Sequence, residues 1–401
     1  MCNLVQPTPF LYSNLFMPSV TNIVQPVIVQ IVPQMNRGGV ERGTVEIAEA
    51  ISARGWKAVV ICNGGRMENQ LRRAGAEVYT LPVDTKNPLK WPAVRRRLKA
   101  VLLSVGADIV HVRSRAPAWI ALPLTRAMGI HSISTIHSKF VPQNFVKRIY
   151  NQKMLSADGI IAISDYVKSV ITSHYSEAVS EKAIQVIHRG VDLDVFDPAK
   201  VSQHRIVRLS ETLNLPDDGP VVMLPARATE WKGHAPLIEA VARLEAKDVT
   251  LLLLGAGDGH SRFIERLRAL AIKTGLDGRL RIASGTDDMP AALMLADVVA
   301  MPSTIPEPFG RVALEAQAMG RPVVAFKHGG AIESIQEGET GWLAEPNNVE
   351  DLARCLQLAL KLGPRQRTIW AKRARAHVEF AFSTQQMCEK TLEIYADFLQ
   401  K

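Results

Sequence analysis

Cysteine is scarce in this chain of 401 residues: Cys2, Cys62, Cys355 and Cys388 lie far apart. No CxxC pair and no histidine cluster at ligand spacing accompanies them, which excludes a disulfide framework and a structural zinc site and indicates a reducing compartment. Long apolar runs are also missing. The longest are short, strand-like stretches such as 249–254, well below the roughly 20 residues of a membrane span. Tandem repeats and low-complexity tracts are absent, so a solenoid is excluded. The first 36 residues contain no Lys or Arg, so they lack the basic start of a secretory signal. Residues 1–26 read as a loosely ordered leader.

What is present is ordinary globular composition, 47% hydrophobic and 22% charged, in a chain long enough for two α/β domains. The charge is uneven. Residues 1–200 carry 24 Lys and Arg against 14 Asp and Glu, while residues 201–401 carry 24 against 25. The net +9 thus arises from +10 in the first half and −1 in the second. Such a field suits an anionic partner, and solvated helix faces account for it equally well.

Apolar runs of four to six residues alternate with segments of helical period, the pattern of βαβ units around a parallel sheet. Strands are expected at 27–32, 57–62, 78–81, 109–112, 132–136, 159–163 and 183–187. Helices are expected at 40–53, 93–105, 118–128, 145–157 and 166–173. A polar, Pro- and Gly-punctuated stretch then interrupts the pattern, which restarts with strands at 221–224, 249–254, 280–282, 298–301 and 323–325. This gives a first Rossmann-like domain over 27–198, a linker over 199–219 and a second domain over 220–383. Three helical stretches, 349–362, 364–380 and 384–399, have no strand after them, so the segment 384–401 is placed as a helix able to cross back onto the first domain. Two doubly wound sheets facing each other create a cleft beyond the carboxyl ends of their strands.

Functional groups are therefore sought after strands. Gly38 and Gly39 follow the first strand and open a helix, where backbone N–H groups can meet an anion; a plain tight turn fits them too. Arg227 and Lys232 follow the strand 221–224, offering a fork and a point charge that together would neutralise a diphosphate without a metal. The stretch Glu307-Pro308-Phe309-Gly310-Arg311-Val312-Ala313-Leu314-Glu315 follows the strand 298–301. Its prolines and glycine keep Glu307 on a loop, whereas Glu315 falls in the first helical turns. Backbone N–H groups near Phe309 to Val312 would point into the cleft. Carboxylates accept from paired hydroxyls, so Glu315 suits a ribose and Glu307 a hexose.

The two glutamates with seven residues between them, preceded by the Arg227…Lys232-Gly233 loop, resemble the GT-B glycosyltransferases of family 4, retaining enzymes that use nucleotide-activated sugars. The resemblance takes in 157–164, 186–196, 254–257 and 329–333 and covers roughly residues 27–395. It implies that Arg227 and Lys232 bind the donor diphosphate, Glu315 the ribose and Glu307 the transferred sugar. Phe309, Gly310, Arg311 and Val312 would add contacts, with Gly38 and Gly39 closing from the opposite domain. His137 matches the family's histidine near the reacting sugar. His111, at another strand end, competes with it and reads equally as a hydrogen-bonded structural residue. The chain departs from the pattern at His188-Arg189, where Pro-Asn is usual, and at Arg311.

Retention implies front-face attack by the acceptor hydroxyl, which needs charge on the diphosphate and accurate placement more than a protein nucleophile. No metal and no resident cofactor is expected; the nucleotide-sugar is a co-substrate. Lys90, Arg95, Arg96, Arg97 and Lys99 lie in or beside one helix with Trp91 adjacent, which a solvated charge run also explains; together with the charge imbalance they favour a glycolipid acceptor, such as a lipopolysaccharide core, on an anionic membrane surface. The protein is thus expected in the cytoplasm, peripheral to the inner face of the membrane. Two alternatives stand beside this reading. A sugar-nucleotide epimerase of the same fold would turn over donor without acceptor. A nucleic-acid-binding protein would use the basic half but leave the glutamates idle, and basic and aromatic residues are not interleaved as it requires.

Overall fold

The computed structural model describes residues 25–36 and 38–401. The leader expected over residues 1–26 lies, as far as residue 24, outside them. Seven strands form the first sheet: β1 (Val27–Ile31), β2 (Lys57–Cys62), β3 (Glu77–Thr80), β4 (Ile109–Val112), β5 (His131–Ile136), β6 (Gly159–Ala162) and β7 (Ile184–Val186). All pairs are parallel, in the order β3-β2-β1-β4-β5-β6-β7. Six more form the second: β8 (Val221–Pro225), β9 (Thr250–Leu254), β10 (Leu280–Ala283), β11 (Val298–Met301), β12 (Val323–Phe326) and β13 (Gly341–Ala344). Their order is β10-β9-β8-β11-β12-β13, again parallel.

The central strands are buried on both faces, which is why they read as unbroken apolar runs. Val29 of β1 sits opposite Val59 on one side and Val110 on the other, all without exposed surface. Helices cover the sheets through one apolar stripe each. The helix Trp91–Val105 buries Val94, Leu98, Leu102 and Val105 and stops at Gly106 in the left-handed region, φ 66°. A glycine at that position ends a helix without steric cost.

Two findings extend the sequence reading. The polar stretch expected as a linker contains a helix, Gln203–Thr212, whose Arg205 makes a bidentate contact of 2.8 and 2.6 Å with Asp288 beside β10. The chain also crosses back after the second sheet. The helix Pro364–Ala381 ends where Ser383 pairs with Val191 of the first domain. The following helix, Thr384–Leu399, packs on the helix Gly39–Ala53. Gly190 permits this crossing, because a Cβ there would lie 2.4 Å from the Cα of Thr384.

Each sheet changes direction once, between β1 and β4 in the first and between β8 and β11 in the second. These are the topological switch points, where the loops at the strand ends splay apart and leave a crevice. Gly38-Gly39, the Arg227–Lys232 stretch and the Glu307 loop follow β1, β8 and β11 respectively.

Candidate active site

A cavity of about 740 Å³ opens between the two switch points. From the first domain Gly38, Gly39, Arg42, Arg66, Met67 and Gln70 line it. From the second come Lys232, Thr286, Asp287, Met289, Glu307, Gly310, Arg311, Val312 and Glu315. Eight of the sequence-predicted site residues, Lys232 among them, therefore meet at the wall of this cavity. Arg227 does not line it and is exposed. Phe309 is buried behind it, stacked on His188 with ring centroids 5.6 Å apart.

The loop after β8 is fixed to the loop after β11 by close backbone packing. Gly233 adopts φ 79°, and a Cβ on it would come within 1.8 Å of the Pro302 carbonyl oxygen. Thr304 N–H donates to the Trp231 carbonyl at 2.8 Å. This brings the Lys232 ammonium to 2.8 Å from Glu307 Oε1, with both side chains largely buried. Ser303 Oγ donates to the same oxygen. Glu307 is thus held by two donors before any ligand arrives. Glu315, four residues into the helix Arg311–Ala318, has Arg311 Nε at 3.7 Å.

A second group of charges lies beneath the glycine pair. Arg189 donates from Nη2 to the Gly39 carbonyl at 2.6 Å and stands 3.9 Å from Glu46, which is also 3.9 Å from Arg311. Arg113 is buried nearby, donating to Gln30 at 2.9 Å. Burial, then Arg113 and Arg311, push the Arg189 guanidinium down to about 9. Among the described residues neither Glu46 oxygen has a hydrogen bond, and Arg311 Nε and Nη2 have none. Arg189 and Arg311 share Glu46, Arg311 also has Glu315, and Arg113 is buried beside them, so three guanidiniums stand with two carboxylates close to the cavity wall. Gly43, inside the helix Gly39–Ala53, leaves the room for Arg189: a Cβ there would be 2.0 Å from Nη2.

On the first-domain side, His111 proves structural. Its Nδ1 lies 2.6 Å from the Tyr395 hydroxyl and its Nε2 2.7 Å from Thr135 Oγ1. His137 differs: its Nε2 is buried without a partner among the described residues. Burial, followed by Arg113, Arg189 and His111, holds it well below the usual histidine range, so it is neutral at physiological pH. It does not line the 740 Å³ cavity. Two residues on, Lys139 lies over the Trp231 ring at 5.5 Å, and its pKa is lowered by burial and by Lys232, against the pull of Glu307. Phe140, next in the chain, is buried with φ 57°. A bulky residue held there is strained, a cost commonly concentrated at functional loops.

The domains also touch along a seam. Glu333, in the Gly329-Gly330 segment, accepts from the N–H groups of Asp165 and Tyr166 at 2.8 Å each and lies 2.9 Å from His188 Nε2. Burial raises its pKa, but these partners outweigh burial and the net shift is downward. Ser164 donates across the seam to the Pro308 carbonyl at 2.6 Å. Asp165, His188 and Glu333 bring potential metal-ligand atoms within 4.8 Å of one another, yet Glu333 is already engaged by backbone and His188. Sequence reasoning missed Arg42, Arg66, Glu46, Lys139 and Glu333. Arg189 was marked in the sequence only as a departure from the family's usual Pro-Asn.

Residues 37–195 match the model of Glycosyltransferase Family 4, and residues 208–377 that of Glycosyl transferases group 1. A D-inositol 3-phosphate glycosyltransferase of Arthrobacter sp. is 30% identical over 340 residues, covering 77% of each chain. The chain belongs to glycosyltransferase family 4. The family 4 chain is also 29% identical to the protein of the same name from Corynebacterium efficiens, over 59% of each chain. It is 36% identical over 184 residues to the lipopolysaccharide core biosynthesis glycosyltransferase LpsE of Rhizobium meliloti, covering 46% of this chain and 52% of the relative. Alignments with two of these relatives thus span less than two thirds of their length. Among solved structures, a glycosyltransferase from Rickettsia africae has a TM-score of 0.86 at 32% identity, over 94% of this chain and all of that one. The Anabaena protein HepE, solved with UDP and glucose, has a TM-score of 0.78 at 23% identity, over 93% of this chain and all of that one. The fold is GT-B.

Proposed function

We propose that this family 4 chain is a retaining hexosyltransferase that moves a sugar from a nucleotide-sugar to a hydroxyl of a cell-envelope glycan or glycolipid. The observation that carries this reading is the 740 Å³ interdomain cavity, in which the Lys232–Glu307 and Arg311–Glu315 pairs face the glycine turn. Glu307 accepts from hydroxyls of the transferred sugar and Glu315 from the ribose. Lys232 and the backbone donors at Gly310 to Val312 take the diphosphate, with Arg311 and the buried guanidiniums adding positive potential. The acceptor hydroxyl attacks from the face on which the diphosphate leaves, and a leaving oxygen takes the proton. His137, neutral and with its buried Nε2 unpaired among the described residues, is assigned to the sugar side. Four cations line the cavity, so a metal is not needed to balance the phosphates. The Rhizobium relative's role in lipopolysaccharide core biosynthesis and the UDP bound to HepE support the acceptor and donor classes.

An anionic membrane is the proposed meeting place with the acceptor. Leu89 is 88% exposed and Phe145 and Val146 are 75% exposed. They flank a stack of Trp91, Trp119 and Tyr150, over which Arg95, Lys153 and Lys147 lie. Apolar tips beside cations suit a lipid headgroup layer. No helix among the described residues is long and apolar enough to cross a membrane.

The test is product formation from UDP-, GDP- and ADP-sugars with and without lipid-linked acceptor, in EDTA and with added magnesium, with NMR of the new anomeric centre. Acceptor-dependent transfer that keeps the donor's configuration, persists in EDTA and is lost in Glu315→Ala is expected. Turnover without acceptor would mean epimerase or hydrolase chemistry, and failure to bind any nucleotide-sugar would overturn the proposal.

A further inference from the structure

The helix Pro364–Ala381 carries Arg365, Arg367, Lys372, Arg373 and Arg375 against the single carboxylate Glu379, in a half of the chain whose net charge is −1. One face of it walls a cavity of about 390 Å³ whose lining contains no acidic side chain. Met294, Met319, Arg321, Thr368, Lys372 and Pro198 are among the lining residues. The cavity lies at the amino ends of β11 and β12, the edge of the second sheet opposite the donor cleft, since Arg321 precedes β12 and Met294 precedes β11.

Two of its cations are accounted for by the fold. Arg367 pairs with Asp297 and the Leu362 carbonyl, and Arg375 donates to the carbonyls of Phe196 and Ala318 at 2.8 and 3.0 Å. The other two are not. Among the described residues Arg321 Nε is buried with no acceptor and its Nη2 meets only the Met294 sulfur at 3.2 Å, a weak acceptor, while Asp297 acts on it through charge without a hydrogen bond. Lys372 is exposed, with no hydrogen bond or ion pair among the described residues. A largely buried guanidinium left without an oxygen acceptor is costly unless a ligand completes it.

We propose that this cavity is a second binding site, for a small soluble phosphomonoester of about sugar size. Arg321 holds the phosphate from the inner wall, Lys372 from the rim, and the two methionines pack against the organic part. The volume falls in the range of small-ligand pockets, roughly 300 to 1,000 Å³. The site borders the connection between the domains: Pro198 is in its wall, and Arg375 ties the helix to the Phe196 backbone. Occupancy therefore bears on how the domains are joined, away from the donor cleft.

The test is calorimetric titration of the full chain with glucose 6-phosphate and with inorganic phosphate. Saturable binding is expected. Lys372→Glu, a surface change that leaves folding intact, and Arg321→Gln should each weaken it about tenfold or more, the loss of one charge-assisted hydrogen bond. Lys232→Ala should leave it unchanged. Absence of saturation, or binding lost in Lys232→Ala and retained in Lys372→Glu, overturns the proposal, because the phosphate would then be entering the donor cleft or no site at all.

Discussion

Glu307 on its loop and Glu315 in its helix are distinguished already by the sequence, and the fold adds different partners. Glu307 is clamped by Lys232 and Ser303, whereas Glu315 has a single cation at 3.7 Å. A clamped carboxylate is a positioning device, so Glu307→Gln should lower kcat about 100-fold with little change in donor KM, the cost of misplacing a reacting group. Glu315→Ala should instead raise donor KM; steady-state kinetics separates the two. The buried histidines make a second prediction. His111 and His137 are both held well below the usual histidine pKa, chiefly by burial and then by Arg113. Below about pH 6.5 the unfolded chain takes up protons that the folded protein refuses, so stability falls as pH drops, by up to about 1.4 kcal/mol per pH unit for each such group. Thermal melts between pH 7 and 5 should show this slope, and His137→Asn should flatten it. An unchanged slope in the variant would mean that His137 titrates normally. The pair of glutamates was legible because their spacing is local. Arg189 and Arg311 were singled out separately, but their grouping with Glu46 was not legible, since 143 and 122 residues separate Arg189 from the other two and only the fold brings them together.

Secondary structure was legible wherever an apolar run ended in a turn signal. β2, β4 and β11 begin and end where the hydrophobic pattern placed them. β13 escaped notice because Gly-Trp-Leu-Ala is short and opens on a glycine. The helix Gln203–Thr212 escaped because it buries none of its residues fully and so carries little apolar signature. The helix Gly39–Ala53 shows two effects in competition. Replacing an interior helix glycine with alanine ordinarily stabilises by about 1 kcal/mol. At Gly43 the new methyl would sit 2.0 Å from the Arg189 guanidinium, and overpacking of that kind costs about 1 to 3 kcal/mol. Gly43→Ala should therefore destabilise, by chemical denaturation, and weaken donor binding as Arg189 leaves the Gly39 carbonyl. A net gain in stability would show that Arg189 moves freely. Gly233→Ala should be more damaging still, since the backbone φ of 79° and the Pro302 carbonyl both oppose a side chain.

At the scale of the whole molecule, charge and exposed apolar groups coincide on the first domain. The half with net +10 also carries Leu89, Phe145 and Val146 at its surface. Vesicles rich in anionic lipid should bind the protein at low salt, less so as salt screens the cations, and Phe145→Asp with Val146→Asp should abolish the binding in a sedimentation assay without altering nucleotide-sugar binding. Binding that ignores both salt and these substitutions would place the contact elsewhere. The two-sheet layout was readable from alternating patterns, while the facing of the cleft followed from strand order, which no local pattern encodes.

The return of the helix Thr384–Leu399 to the first domain bears on the order in which the molecule can be made. Tyr395 supplies the partner of His111 on β4, so the first sheet, whose strands all precede residue 187, lacks this covering helix until residues 384–399 are made. The second sheet has all its strands by Ala344 and its covering helices by Ala381. Domains usually finish in the order of synthesis; here the half translated last is the one able to settle first. A chain arrested after residue 383 should leave the second half resistant to protease and the first half readily cut.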